Sequence, residues 1–316
     1  MTFLFVTTLG IVRWPLLVLC AWVLRRRWKT LSVALPVAFV TSVLLMDLAI
    51  ENHGRVSPAP EAGGGERISV VSHNVLFDGG DVDATVDVLL EIDADLVFLQ
   101  EVGARRAEVM HVRLGERYPH RAAALSEGRG HGLVTYAKAP LTPLDSWASG
   151  RGNVVGQCLR ERVVICNVHL TSPSVALDRP GRFFPILLDN ERYRRRQWAE
   201  IEAAALATAG PTLVVGDVNT MAVEPLFRGL RRRWVDAFRH ARPVDPGATY
   251  PHGSHGPPNK FMRPGTPFVR PDYVLVSPDV LPVDARTVAG GGSDHRPLVA
   301  TLELPRRPGR ALSGSE

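Results

Sequence analysis

The chain has 316 residues, 45% of them hydrophobic, with 28 Gly, 25 Pro, 3 Cys, and 37 Lys and Arg against 32 Asp and Glu. That composition excludes a disordered, collagen-like or disulfide-scaffold chain and leaves room for one or two domains. The net charge of +5 is unevenly laid: residues 1–65 hold six Lys and Arg against three Asp and Glu, so the remainder carries 31 against 29, little support for a nucleic-acid binder on charge alone.

Residues 2–24 contain 17 hydrophobics in 23 and residues 30–50 contain 15 in 21, each close to the ~20 residues that cross a ~30 Å hydrocarbon core. Between them Arg25-Arg26-Arg27-Trp28-Lys29 is a basic loop of the kind retained in the cytoplasm, so a transmembrane hairpin is predicted over 1–50 with both ends outside. Arg13 and Pro15 weaken the first span, since a mid-span arginine costs about 2.5–3.5 kcal/mol on insertion scales. The first segment could instead lie at the interface; the second would still deliver residue 51 to the far face. A cleaved signal peptide fits less well, because the positive cluster follows the first apolar run, and two buried helices of a soluble protein would not need the basic loop. Residues 51–66, ENHGRVSPAPEAGGGE, have linker composition and place a domain boundary near residue 66.

Beyond the linker, β-type runs recur at residues 68–71, 96–99, 133–136, 154–159, 163–168, 212–215, 273–276 and 298–302. Val82, Val86, Leu89 and Leu90 repeat at helical spacing behind an Asp81 cap, and residues 191–206 run without Gly or Pro. The runs 154–159 and 163–168 look like a hairpin around Arg160-Glu161-Arg162; a Cys158–Cys166 disulfide is permitted in an outside compartment, and two buried thiols fit as well. Mixed strands and helices over about 250 residues predict a layered α/β domain at 67–304, with 305–316 a disordered tail.

Six polar clusters stand at or just after the ends of apolar runs, where loops meet a rigid sheet. They are Ser72-His73-Asn74, Gln100-Glu101, Asn167-Val168-His169-Leu170, Gly216-Asp217-Val218-Asn219, Arg270-Pro271-Asp272-Tyr273 and Ser293-Asp294-His295-Arg296-Pro297. Singly, each has a plain explanation: Asn74 and Asn219 as turn residues, Glu101 as a helix-start charge, His169 as a core histidine. Together, Asn74, Glu101 and Asp294 offer oxygen ligands for a hard cation such as Mg²⁺, Asp217 and Asn219 a carboxylate and amide, and two histidines have carboxylates to partner them. Metal-assisted hydrolysis of a phosphate ester needs such a set, to neutralise the phosphate, activate water and protonate a leaving oxygen. Zinc is disfavoured by the absence of CxxC and HExxH. No glycine-rich phosphate loop exists, because Gly63-Gly64-Gly65 is in the linker and Gly290-Gly291-Gly292 precedes no GKS or GKT. His73, His131, His252 and His255 are taken as loop or surface residues without a role.

In this order HN, QE, NVHL, GDVN, PDYVL and SDHRP resemble the endonuclease/exonuclease/phosphatase superfamily, which includes deoxyribonuclease I-like nucleases, bacterial sphingomyelinases and inositol polyphosphate phosphatases. The resemblance covers roughly residues 67–304. It implies a four-layer α/β sandwich, two mainly antiparallel sheets flanked by helices. By matching position it makes Glu101 the principal Mg²⁺ ligand with Asn74 beside it, Mn²⁺ and Ca²⁺ being alternatives, and Asp294 a completing ligand. It further implies that Asp217 and Asn219 orient water and hold a phosphate oxygen, and that His295, positioned by Asp272, acts as acid/base or binds phosphate. His169 matches the deoxyribonuclease I and sphingomyelinase branches rather than apurinic-type repair nucleases.

The first reading is therefore a membrane-anchored, divalent-metal-dependent hydrolase of phosphate esters, nuclease-like, acting outside the cytoplasm. The alternative substrate is a phospholipid or sphingolipid headgroup; residues 183–188, FFPILL, would be an apolar loop facing the bilayer or simply a packed helix start. The basic runs 192–196 and 231–233 read as solvated helix faces. A binding module without turnover is the reading from another class, and it has no chemical reason to keep Asp217, Asn219, Asp272 and His295 together. No obligate protein partner is indicated.

Overall fold

A computed structural model describes residues 64–77, 79–125, 132–149, 153–160, 163–172, 183–207, 209–221, 224–253 and 266–306. The predicted hairpin 1–50, most of the linker and residues 307–316 lie outside these. Among the described residues no helix is long and apolar enough to cross a membrane.

Alternation along β1 (Arg67–Asn74) sets the layering. Ile68 and Val70 face one apolar cluster while Val71 and Val75 face another, all at most 2% exposed. A strand buried on both faces reads as a continuous apolar run, which explains why β1, β2 (Leu96–Gln100), β7 (Val163–His169), β8 (Thr212–Asp217) and β10 (Asp272–Val276) are legible in the sequence. β1 pairs parallel with β2 and antiparallel with β12 (Leu298–Glu303), which pairs antiparallel with β11 (Leu281–Thr287). β4 (Leu133–Ala137) and β3 (His120–Ala124) complete the first sheet, in the order β11-β12-β1-β2-β4-β3. The second runs β5-β6-β7-β8-β10-β9, with β5 Thr142–Ser149, β6 Asn153–Arg160 and β9 Val235–Asp236. Each sheet has one parallel pairing, β1–β2 and β7–β8, and is otherwise antiparallel.

Inward side chains of both sheets meet in one cluster: Val70, Phe98 and Ala300 from the first, Ile165, Val215 and Val274 from the second. Burying a side chain such as Phe98, 0% exposed, contributes about 2–3 kcal/mol. Outside the first sheet lie α1 (Val82–Ile92) and α2 (Ala104–Leu114), through Val86, Leu89, Met110 and Leu114. Outside the second lie α3 (Phe183–Ala207) and α4 (Pro225–Leu230), through Trp198, Ile201, Leu226 and Phe227. Short α5 (Ala237–Ala241) instead inserts Ala237 and Phe238 into the inter-sheet core.

Asp81 caps α1 as expected, its Oδ1 accepting from the N–H groups of Asp83 (2.9 Å) and Ala84 (3.1 Å). The segment 183–188 is a helix start, with Pro185 in the first turn, where its missing N–H costs nothing. Two expectations need correction. His73 is no surface residue: it lies inside β1 at 0% exposure, its Nε2 3.2 Å from the Gly291 carbonyl. The run 192–196 is not wholly a solvated face, because Arg194 is fully buried against Glu191 and Glu224. In the hairpin, Cys166 is a buried thiol opposite Gln157 while Cys158 stands opposite Ile165, so the two cysteines are one step out of register.

Candidate active site

Strand register brings the polar clusters to one edge of the sandwich. Asn74 pairs with Gln100 at the ends of β1 and β2, His169 with Asp217 at the ends of β7 and β8, and Asp272, opening β10, with Asp217. The parallel β7–β8 pair can close this tightly only because residue 216 is glycine: at φ 147° it sits so near β7 that a Cβ would lie 1.9 Å from the Val168 carbonyl oxygen.

Asp217 is the centre. Its Oδ2 accepts from Asn74 Nδ2 at 3.0 Å and lies 3.8 Å from His169 Nε2 and 3.9 Å from His295 Nε2. Its Oδ1 accepts from the Asn219 N–H at 2.9 Å, with Asn219 turned into the left-handed region at φ 51°. Burial, then the neighbouring Asp272 carboxylate, push the Asp217 pKa up to about 6, against the pull of His295, His169 and Asn74.

On one side His295 Nδ1 is 2.9 Å from Asp272 Oδ2, which also accepts from Thr249 Oγ1 at 2.5 Å. Burial alone would lower the His295 pKa, but the Asp272 carboxylate and its hydrogen bond, followed by Asp217 and Asp294, push it up to about 10. His295 is thus held protonated with Nε2 turned toward Asp217. On the other side Asn74 Nδ2 donates to Glu101 Oε1 at 2.9 Å, and Glu101 Oε2 accepts from the Phe77 N–H at 3.2 Å. Glu101 has φ 59°, a backbone state that costs a non-glycine residue about 1 kcal/mol or more and persists where its contacts over-determine it. His169 Nε2 lies 3.7 Å from Glu101 Oε1.

The oxygens here fit a hard divalent cation. Glu101 and Asp294 offer carboxylate oxygens, and the Glu101 side chain, 24% exposed, leaves space for the waters that Mg²⁺ retains, whereas the Asn74 oxygen accepts from the Leu76 N–H and would join a cation only with its amide turned. Asn74 sets its amide hydrogens between the Glu101 and Asp217 carboxylates, where positive charge is favoured. Asp217, Asp272 and His295 also offer ligand atoms within 4.8 Å of one another. That second group reads better as a positioning pair under Asp217, because Asp272 is 0% exposed and its Oδ2 is engaged by Thr249 and His295.

The predicted residues therefore converge, with two qualifications. Asn219 spends one amide hydrogen on the Leu170 carbonyl at 2.9 Å. Asp294 stands at the rim, its carbonyl accepting from the His252 N–H at 2.6 Å. Sequence reasoning missed Thr249, and also Tyr250, whose ring centroid lies 5.0 Å from that of His295 and whose phenol pKa is raised by burial and then by Asp294, Asp217 and Glu101. It also left Asn167 without a role. Asn167 Oδ1 accepts from Gln100 Nε2 at 2.9 Å and its Nδ2 donates to the Leu99 and Val134 carbonyls, both at 3.1 Å, fastening the two sheets beside Glu101. Only its place in NVHL could have marked it.

The profile of the Endonuclease/Exonuclease/phosphatase family matches residues 71–295. No curated protein is significantly similar in sequence. Among solved structures, the endonuclease/exonuclease/phosphatase from Bacteroides vulgatus superposes with a TM-score of 0.56 at 17% identity, over 76% of this chain and 99% of that one. An AP endonuclease from Archaeoglobus fulgidus gives 0.56 at 17% identity, over 74% and 98%, and truncated Caenorhabditis elegans TDP2 gives 0.53 at 17%, over 75% and 98%. At such identity these structures establish the shared fold, while the profile spans every cluster from β1 to His295. The chain belongs to the endonuclease/exonuclease/phosphatase family and is a metal-dependent hydrolase of phosphoric esters.

Proposed function

We propose that the chain is a divalent-metal-dependent phosphodiesterase, nuclease-like in its chemistry, anchored in a membrane by residues 1–50 and acting outside the cytoplasm. The observation that carries the chemistry is the Asp217 carboxylate, poised between His169 Nε2 at 3.8 Å and His295 Nε2 at 3.9 Å. Both gaps exceed a hydrogen bond, and a water or phosphate oxygen lying to one side could contact both atoms of either pair. A cation held by Asn74, Glu101 and Asp294 would supply charge neutralisation on the phosphate and the leaving oxygen. Asp217, with its basicity raised, accepts the proton of the attacking water. His295, kept protonated and aimed by Asp272, places Nε2–H on a phosphoryl oxygen as charge builds there. His169 closes the ring of donors from the other side.

A lipid headgroup is the second reading, favoured by the two apolar N-terminal segments and by the state of the arginines. Arg194 is buried, and Arg192 and Arg195 are paired with Asp189 (3.5 Å) and Glu191 (2.9 Å), which leaves Arg196 as the exposed arginine of this run outside these pairs for a nucleic-acid backbone. The test is EDTA-sensitive release by the full chain in detergent, beside His295→Ala, from double-stranded DNA, RNA, sphingomyelin vesicles, phosphoinositides and bis-p-nitrophenyl phosphate. Turnover on at least one diester should fall about 10²-fold or more in the variant. A wild-type rate in His295→Ala would remove the mechanism, and cleavage confined to vesicles would select the lipid reading.

A further inference from the structure

Arg106 belongs to none of the sequence clusters, yet its guanidinium closes on the turn that serves both metal-end side chains. It lies in the first turn of α2, five positions after Glu101. Nη1 donates to the carbonyls of Val75 (3.3 Å), Leu76 and Phe77 (3.1 Å), and Nη2 donates to that of Gly80 (2.6 Å). With its carbonyls gathered there, the same turn spends its N–H groups on the site. Leu76 N donates to Asn74 Oδ1 at 3.1 Å and Phe77 N to Glu101 Oε2 at 3.2 Å.

Carbonyl dipoles converging on one place repel one another unless a cation sits among them, and four acceptors spread along a turn require donors on a rigid fork. A lysine's single nitrogen could meet the three carbonyls that Nη1 meets but not that of Gly80 as well. Among the described residues the turn's backbone is otherwise tied by the Val75 N–H to the Gln100 carbonyl at 3.0 Å and the Gly80 N–H to the Leu76 carbonyl at 3.2 Å, with Leu76 at φ 53°. The Phe77 ring rests on Gly103, where a Cβ would come within 2.8 Å of it.

We propose that Arg106 is a positioning residue that sets divalent-cation affinity, by holding this turn so that its N–H groups fix the Asn74 and Glu101 oxygens. The proposal rests on the metal-end assignment made above. Partners that orient a ligand in this way are typically worth ten- to a hundredfold, or about that, in metal affinity.

The experiment is calorimetric titration of Mg²⁺ into the full chain in detergent, as wild type, Arg106→Lys, Arg106→Gln, Glu101→Gln and Arg113→Ala. Arg113, on the same helix, pairs only with Asp83 and Asp87 of α1 among the described residues and serves as the control. Both Arg106 variants should bind Mg²⁺ at least about tenfold more weakly, while at saturating Mg²⁺ turnover stays within about threefold of wild type and substrate KM is unchanged. Glu101→Gln should lose binding, and Arg113→Ala should keep it. The Mg²⁺-induced rise in melting temperature, taken for each variant against its own metal-free state, separates lost affinity from lost stability. Wild-type affinity in both Arg106 variants alongside loss in Glu101→Gln would overturn the proposal alone. Unchanged affinity in Glu101→Gln would overturn the metal-end assignment itself, and the proposal with it.

Discussion

Loss of solvent pushes the His73 pKa down to about 4, against the opposing pull of the Gly291 carbonyl, and so keeps the ring neutral inside β1. Unfolded, the same ring takes its proton near the ordinary histidine value of 6.5. Between those values the unfolded chain binds more protons, so this contribution is complete above pH 6.5 and is lost as pH falls toward 4, about 3 kcal/mol over the window. Denaturant unfolding of the solubilised chain at pH 7, 5.5 and 4.5 should show wild type losing more stability than His73→Gln. Parallel pH curves would mean that the folded His73 accepts its proton freely. The residue also shows where sequence reading stops. A histidine between Ser72 and Asn74 carries no mark of burial, and only the closure of the 290–292 glycines over it, with a Cβ at 291 falling 2.7 Å from Nε2, makes it a core side chain. Tyr250 is unmarked for a similar reason, because its approach to His295 depends on the course of the segment between α5 and β10 rather than on any local pattern.

At the scale of elements, the strands the sequence conceals are β3, β5, β9 and β11, and these are the four edges of the two sheets. Edge strands are half solvated and carry Pro and charge that discourage further pairing, as in HRAAA of β3 and LPVDART of β11, so neither alternation nor an apolar run survives in them. Central strands are legible, and because the site stands on their ends, the site is legible too. Among the helices only α1 and the later part of α3 are legible, while α2, α4 and α5 are not, and in α3 periodicity cannot reveal that Arg194 points inward. Its Nη2 donates to Glu191 Oε2 at 3.1 Å and to Glu224, while Glu224 Oε1 accepts from the Met221 N–H at 3.1 Å, so the pair secures the segment after Asn219. Removing one partner of a buried pair leaves uncompensated charge, so Arg194→Met should cost about 3–5 kcal/mol in denaturant unfolding. Arg192→Ala, at an exposed pair, should stay within about 0.5 kcal/mol. Restoration of part of the loss by adding Glu224→Gln would assign it to the stranded carboxylate, and equal stability of the two single variants would refute the buried pair.

For the whole molecule, the two ends of the catalytic domain meet away from its catalytic edge. Arg67 opposes Glu303 in register, and the Gly64 N–H donates to Glu303 Oε1 at 2.9 Å, so the chain joins and leaves the first sheet at the same place. Asn74 is at the other end of β1, seven residues on, or about 23 Å at the usual strand rise. A reporter fused after Glu316 thus follows a chain exit on the far side of the first sheet, and the fusion should hydrolyse bis-p-nitrophenyl phosphate at the rate of the unmodified chain. That makes membrane orientation testable without disabling the enzyme. On the proposed topology, the four positive charges in residues 25–29 would hold the loop between the two apolar segments on the cytoplasmic side, and the second segment would then carry residue 51 outward. In intact cells the reporter should be cleaved by added protease, and hydrolysis of bis-p-nitrophenyl phosphate should be measurable at the cell surface without lysis. Exchanging Arg25, Arg26, Arg27 and Lys29 for Ser should weaken that orientation and protect a fraction of the reporter. Full protection in the unmodified chain, with cleavage only after lysis, would place the catalytic domain in the cytoplasm and redirect the search to substrates on that side.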